Sequence, residues 1–238
     1  MSIGSIYLVP KVHRHYGLRC GGFTLIELVV VVAIFGIFFA FAIPTLRGYI
    51  GNSQVSLLAE SVAAALRQAQ SEAIQRSIPI EFVLTTSTRS AITANPSTVT
   101  LNSGGLTSAS PALTLLVRDP GSTTASGVLQ VQESTEGWRD GRLTAALAAV
   151  ATPVAGVSFS PLGRVAATRS SAGVLSPVAG NGSVVFRVVN SELPATITRR
   201  RCVVVTSGGA TKICDPTRAT GDARACLPQI TTTDCPAS

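Results

Sequence analysis

The chain has 238 residues, long enough for one sizeable domain with a membrane segment or for two small domains. Hydrophobic residues make up 46% and mean hydropathy is +0.41, but one apolar block near the start carries much of this, which argues against several membrane spans. The formal charge of +7 includes Lys11, Arg14 and Arg19 with no acid in residues 1 to 22, so the remainder holds 16 basic against 12 acidic side chains, a net +4 too mild to point to nucleic acid by itself.

The first informative stretch is Cys20-Gly21-Gly22-Phe23-Thr24-Leu25-Ile26-Glu27-Leu28, which runs into the apolar series Val29 to Ile43. From Phe23 to Ile43 a helix rising ~1.5 Å per residue reaches about the ~30 Å of bilayer hydrocarbon. The basic flank before it predicts that residues 1 to 22 stay cytoplasmic and that the C-terminal part crosses the membrane. A secretory signal peptide fits poorly, because the Gly22-Phe23 junction precedes the apolar region instead of following it. Glu27 is the anomaly. An ionised carboxylate in hydrocarbon costs at least ~2.5 kcal/mol, so such an acid either lies at the headgroup boundary or has a functional partner.

The segment GFTLIELVVVVAIFGIFFAFAIP resembles the class III signal of type IV pilins and type II secretion pseudopilins in its Gly, its aromatic residue, its Glu and its apolar run. The resemblance implies that a prepilin peptidase cuts after Gly22 and that Phe23 becomes the N-methylated first residue. It also implies that Glu27 faces the N-terminal amine of a neighbouring subunit during assembly, and that Pro44 lies at the family's helix kink.

After Pro44, Val55, Leu58, Val62, Ala65, Leu66, Ala69, Ala73 and Ile74 recur at three- and four-residue steps, with Gln54, Glu60, Arg67, Gln68 and Gln75 on other faces. This predicts one long helix over 23–76, apolar all round in its first half and amphipathic in its second, bent or loosened by Pro44, Gly48 and Gly51.

From Ser77 the pattern changes to short β-rich runs between Gly, Pro, Ser and Asn. Strands are expected at Ile80 to Thr86, Thr98 to Leu101, Leu113 to Arg118, Val128 to Gln132, Val154 to Ser160, Ser183 to Val189, Thr196 to Thr206 and Ala210 to Cys214. Surface loops are expected around 102–111, 119–127 and 168–182, while 143–151 reads equally as a short helix or part of a loop. A three-residue loop Ser207-Gly208-Gly209 would close a hairpin placing Val203 opposite Ile213, Val205 opposite Thr211 and Cys202 opposite Cys214.

Beyond residue 22 the cysteines are Cys202, Cys214, Cys226 and Cys235, an even number near the end of an expected exported domain. They suggest two disulfides with three connectivities open, of which Cys202 with Cys214 and Cys226 with Cys235 is favoured by the hairpin register. Their spacings lack a close Cys pair and no His follows His15, so no metal site is expected.

Three further runs, Glu136-Gly137-Trp138-Arg139-Asp140, Val157 to Arg164, and Arg201 to Val205 leading to Lys212-Ile213-Cys214, resemble landmarks of the GspH/FimT branch of minor pilins and pseudopilins. The family's fold is α+β, a long N-terminal helix packed on an antiparallel β domain. The resemblance implies a leader at 1–22, a transmembrane and assembly helix at 23–43, its amphipathic continuation at 44–76 and a periplasmic or exterior β domain at 77–238. The implied partners are the prepilin peptidase, other pilin or pseudopilin subunits, an inner-membrane assembly platform and, before assembly, membrane lipid, with no cofactor. The implied location is the inner membrane, single-pass, and then a pilus or pseudopilus.

Some FimT-type minor pilins bind DNA through a Gly-Arg-x-Arg motif in the final hairpin. The matching positions are Gly209-Ala210-Thr211-Lys212, which retain only the Gly and the last cation; Arg199, Arg200 and Arg201 lie nearby. No aromatic residue follows Phe186 to stack on bases. Catalysis has little footing and the chain reads as a non-enzyme. Both histidines, His13 and His15, lie before Gly22, and Glu133, Glu136 and Asp140 read as loop acids. An unprocessed signal-anchored periplasmic protein is the remaining alternative.

Overall fold

A computed structural model describes residues 24–95, 99–101, 114–120, 127–133, 141–147, 153–170, 172–178, 182–190, 193–194, 197, 199–219 and 221–226, without side-chain detail at 40–45, 47 and 141–147. The chain forms two compact units, 1–44 and 45–238. Helix α1, Leu25–Arg76, contributes to both. In the first unit its apolar side chains from Leu25 to Phe39 are exposed, and Phe35 stacks on Phe39 with ring centroids 6.3 Å apart. Among the described residues no helical stretch is long and apolar enough to cross a membrane. Within the expected span 23–43 the described side chains end at Phe39, about 22 Å from Leu25 at ~1.5 Å per residue, so that span lies partly outside them.

The second unit is built on the amphipathic half of α1. Val55, Leu58, Val62, Ala65, Leu66, Ala69 and Ala73 are all buried, as the three- and four-residue spacing predicts. Ile74 differs: it is half exposed, and its side chain lies against the turn at Gly163. Two antiparallel sheets share the core with this helix. The first runs in the order β3-β2-β1-β5-β6-β7, with β1 Ile80–Thr85, β2 Thr114–Arg118, β3 Val128–Glu133, β5 Gly156–Phe159, β6 Val165–Arg169 and β7 Leu175–Pro177. The second runs β10-β9-β8-β4, with β4 Gly141–Leu147, β8 Val184–Asn190, β9 Arg201–Val205 and β10 Thr211–Cys214.

Period-two alternation sorts each strand's side chains. Ile80, Phe82 and Leu84 face the helix with Leu115, Val117, Val157 and Phe159, and Val184, Phe186, Val188, Val203 and Val205 join them from the second sheet. Phe82 meets Phe186 edge to face at 5.5 Å. The alternate residues Val83 and Leu116 point the other way and pack under the short helix α2, Arg89–Ala94, through Ile92. Thr88 caps α2 by accepting from the Ala91 N–H.

Several expectations need correction. Segment 143–151, left open between helix and loop, begins in β4, which pairs with β8 along its length. The expected loop 168–182 contains β7, reached by a tight turn in which Gly173 N–H donates to Ser170 and Ser170 N–H to Val174. Of the expected strand Thr98 to Leu101, the described residues 99–101 form an isolated bridge, Thr85 to Leu101, and no named strand. Strand β9 starts at Arg201 rather than Thr196, because Asn52 of α1 donates to the Ile197 carbonyl and accepts from the Arg199 N–H, taking up backbone groups a ladder would use. Gly48 and Gly51 do not interrupt α1. A Cβ at Gly51 would stand 2.5 Å from Leu193 Cδ1, so this glycine lets the segment before β9 approach the helix closely. The run 102–111 and the Trp138 landmark lie outside the described residues.

Candidate functional site: helix N-terminus and C-terminal hairpin

Helix α1 begins with a local device that the sequence reading passed over. The Glu27 N–H donates to Thr24 Oγ1 at 3.3 Å and the Leu28 N–H to the Thr24 carbonyl at 3.2 Å, so Thr24 caps the helix and Glu27 falls in its first turn. Thr-x-x-Glu is the spacing of a capping box, and a carboxylate there also meets the positive end of the helix dipole. Glu27 therefore helps start the helix whatever else it does. Gly22 and Phe23 lie outside the described residues. Pro44 lies within α1, and its missing N–H removes one hydrogen bond from the helix.

At the other end of the chain the hairpin register is as the sequence predicts. Val203 opposes Ile213, Val205 opposes Thr211 and Cys202 opposes Cys214. The loop closes with Gly209 N–H donating to the Thr206 carbonyl and Thr206 N–H to the Ala210 carbonyl, with Gly209 at φ +89°. This is a type I turn followed by a left-handed residue.

The expected disulfides are overturned. Cys214 is bonded to Cys226, with Cα atoms 4.9 Å apart. Cys202 is also disulfide-bonded, to a partner outside the described residues, and Cys235 lies there too. The hairpin explains why opposition did not decide the pairing. Counting from the hydrogen-bonded closing pair Thr206–Ala210, Cys202 and Cys214 fall at another hydrogen-bonded pair, where facing side chains stand farther apart than at the intervening pairs. Residues 215 to 225 instead fold back and deliver Cys226. Asp215 N–H donates to the Arg224 carbonyl, Asp215 Oδ1 accepts from both the N–H and hydroxyl of Thr217, and Asp222 Oδ1 accepts from the Arg224 N–H.

That fold-back also engages the basic residues of the hairpin. Arg201 Nη1 pairs with Asp215 Oδ2 at 3.1 Å, and Lys212 Nζ donates to the Ala225 carbonyl at 3.2 Å. Arg199 is exposed and Arg200 partly so. Arg199 lines a furrow of about 440 Å³ with Tyr49, Asn52, Ser53 and Ser56; a second furrow of about 260 Å³, sharing Ser56, is lined in part by Glu60, Arg201, Asp215 and Arg224. The acids here reduce what the arginines offer an anion. Among the described residues no group of three His, Cys, Asp or Glu side chains is placed to hold a metal.

A residue that sequence reasoning missed is Glu81, fully buried on the face of β1 away from α1. Arg118 Nε and Arg169 Nε donate to its two carboxylate oxygens at 2.6 and 2.7 Å, and Arg169 Nη1 also donates to the Gly173 carbonyl at 2.8 Å. The available signal was a lone acid inside an otherwise apolar strand. Of the acids expected in loops, Glu133 instead ends β3, opposite Thr114 of β2, and accepts from the Arg89 N–H, while Glu136 and Asp140 lie outside the described residues.

A family model described as the prokaryotic N-terminal methylation motif matches residues 18–43. The chain carries a type IV pilin-like N-terminus. It is 66% identical over 35 residues to a type IV major fimbrial protein FimA of Dichelobacter nodosus, covering 15% of this chain and 22% of that protein. Another FimA of the same organism is 59% identical over 44 residues, covering 18% and 26%. The chain thus spans about a quarter or less of the length of these curated relatives. Two crystal structures of the type IV minor pilin FimU of Pseudomonas aeruginosa PAO1 align with TM-scores of 0.41 and 0.39 at 15% and 13% identity. These alignments cover 70% and 68% of this chain and 92% and 93% of the FimU chains.

Proposed function

We propose that the protein is a minor pilin or pseudopilin, a subunit of a type IV pilus or of the related type II secretion pseudopilus. The observation that carries this reading is the methylation motif at 18–43, which takes in the start of a Thr24-capped helix whose apolar side chains from Leu25 to Phe39 are exposed. Cleavage after Gly22 and methylation of Phe23 by the prepilin peptidase would leave Glu27 near a new N-terminus. An acid in an apolar helix bundle needs a cation, and the N-terminal amine of a neighbouring subunit supplies one. The precursor then sits in the inner membrane with its β domain outside the cytoplasm, and the assembly platform moves it into the filament.

Glu27→Ala tests the role. Membrane insertion and leader removal are expected to continue, while recovery of the subunit in sheared filaments falls by an order of magnitude or more, as expected when a buried charge loses its pair at ~3–5 kcal/mol. Assembly equal to wild type ends the pairing idea. Mass spectrometry of the mature N-terminus separates this reading from an unprocessed signal-anchored periplasmic protein, which keeps residues 1 to 22.

DNA binding is the weaker reading, since Arg201 and Lys212 have partners within the fold and Arg199 and Arg200 remain for phosphate. A salt-sensitive mobility shift with the full chain in detergent, lost in an Arg199→Ala/Arg200→Ala variant, would revive it. The expected result is no shift at micromolar protein.

A further inference from the structure

The furrow between the start of the amphipathic half of α1 and the segment leading into β9 differs in chemistry from its neighbour. Tyr49, Asn52, Ser53, Ser56 and Arg199 line about 440 Å³, and no acidic side chain among the described residues joins them. Asn52 fixes the backbone that carries the cation. Its Nδ2 donates to the Ile197 carbonyl at 3.0 Å and its Oδ1 accepts from the Arg199 N–H at 2.7 Å. The Ser56 hydroxyl is engaged by the Asn52 carbonyl at 3.3 Å. The Arg199 guanidinium and the hydroxyls of Tyr49 and Ser53 have no partner among the described residues, so three donors line one concave surface with nothing to receive them.

That donor set suits a phosphate, to whose oxygens a guanidinium offers a planar fork and each hydroxyl a single bond. Position in the chain selects the source. Tyr49 lies six residues after Ile43, where the apolar run ends, or ~9 Å along a helix rising ~1.5 Å per residue. The headgroup layer on each side of a bilayer is ~5–7 Å deep. Side chains on a helix lean toward its N-terminus, and Tyr and Arg both join an apolar body to a polar tip that settles at a membrane interface. From Pro44 to Ala59 the helix carries Arg47 and no acid. Leu46, Tyr49 and Ile197 are exposed around the furrow, with Ile197 Cδ1 3.7 Å from where a Cβ would stand on Gly48. Nucleic acid fits less well, because a furrow with one cation neutralises one phosphate and duplex binding sums over many.

Resting on the reading of the chain as a membrane-inserted pilin precursor, we propose that this furrow binds the headgroup phosphate of an anionic phospholipid. Arg199 supplies the charge, the Tyr49 and Ser53 hydroxyls donate beside it, and Leu46 and Ile197 meet the apolar side of the headgroup layer. An anionic lipid is favoured over phosphatidylcholine, whose own ammonium group competes with Arg199 for the phosphate. The consequence is a seat for the β domain on the membrane surface, made by the segment before β9 and held to α1 through Asn52. The seat lasts until assembly withdraws the helix from lipid.

Native mass spectrometry of the full chain, released from detergent micelles doped with phosphatidylglycerol or with phosphatidylcholine, tests the site. Wild type should retain one phosphatidylglycerol several-fold more than phosphatidylcholine, and inorganic phosphate at the same molarity should leave no adduct. Retention of phosphatidylglycerol should fall several-fold in Arg199→Gln and by a smaller factor in Tyr49→Phe. It should stay at the wild-type level in Arg164→Gln, which removes the same charge from an exposed position in the β5–β6 turn. Equal retention of the two lipids, wild-type retention in Arg199→Gln, or an equal loss in Arg164→Gln overturns the site. An inorganic phosphate adduct that Arg199→Gln abolishes also overturns it, by assigning the furrow to a free anion. Carbonate extraction of membranes holding the full chain keeps the two readings apart. A chain released by carbonate overturns the membrane reading and the site with it, whereas a chain that resists carbonate and shows no preference for phosphatidylglycerol overturns the site alone.

Discussion

At Gly209 one backbone angle decides whether two turns and a helix can meet. Its φ of +89° lies where a side chain is strained, and a Cβ there would stand 2.0 Å from the Gly163 carbonyl oxygen and 2.4 Å from Gln70 Nε2. Gln70 of α1 donates to that same carbonyl at 2.8 Å, and the Val165 N–H donates to Ser207 at 3.0 Å, so helix and both turns converge on this point. The Gly that the chain shares with the DNA-binding motif is thus required by packing alone. Gly208 is its natural control, with nothing nearer to a new Cβ than Thr206 Oγ1 at 3.8 Å. Gly209→Ala should cost about 2–3 kcal/mol and Gly208→Ala well under ~1 kcal/mol, read from urea unfolding in detergent. Equal losses at the two positions would show that the convergence contributes nothing special.

Between elements, the buried triad of Glu81 with Arg118 and Arg169 ties β1, β2 and β6 together on the face of the first sheet away from α1. Removing the acid leaves two guanidinium groups, only 13% and 11% exposed, without their carboxylate. Glu81→Ala should therefore destabilise by about 3–5 kcal/mol, whereas Glu72→Ala, which breaks the more exposed pair with Arg76, should cost at most ~1 kcal/mol. Similar thermal shifts in the two variants would refute the distinction. Such a triad is hard to foresee in sequence because its members are far apart in the chain and meet only through strand order. The same limit explains the other misses. Helix α1, β1, β2, β3, β8 and the β9–β10 hairpin were legible, since each carries its own periodicity or turn chemistry. Strand β4 was not, because its Leu-Thr-Ala-Ala-Leu composition takes its form from the neighbour β8. At the candidate sites, Glu27 stood out by chemistry and Cys214 by register. Cys226 as its partner depended on the hydrogen bonds of a fold-back that no local pattern announces.

At the scale of the whole chain, the amphipathic half of α1 is a structural layer of the second unit as well as the continuation of the exposed apolar helix from Leu25 to Phe39. Val55, Leu58, Val62 and Leu66 are fully buried against side chains from both sheets. At ~1.5–3 kcal/mol for each side chain buried, these contribute roughly 6–12 kcal/mol as an upper estimate, comparable to the ~5–15 kcal/mol net stability of a whole domain. The two sheets without this layer would leave the helix-facing sides of Phe82, Phe159 and Phe186 open to water. A chain beginning at Thr45 retains the layer and should fold cooperatively, with a near-UV circular dichroism spectrum and dispersed amide resonances. A chain beginning at Ser77 retains every strand and should give neither, collapsing or aggregating instead. If the shorter chain unfolds with the same cooperativity and midpoint as the longer one, the sheets form a self-sufficient sandwich and the helix is only attached to it. The expected result would mean that the segment continuing the apolar helix is built into the β domain's core, so that a pull on that segment acts on the core itself.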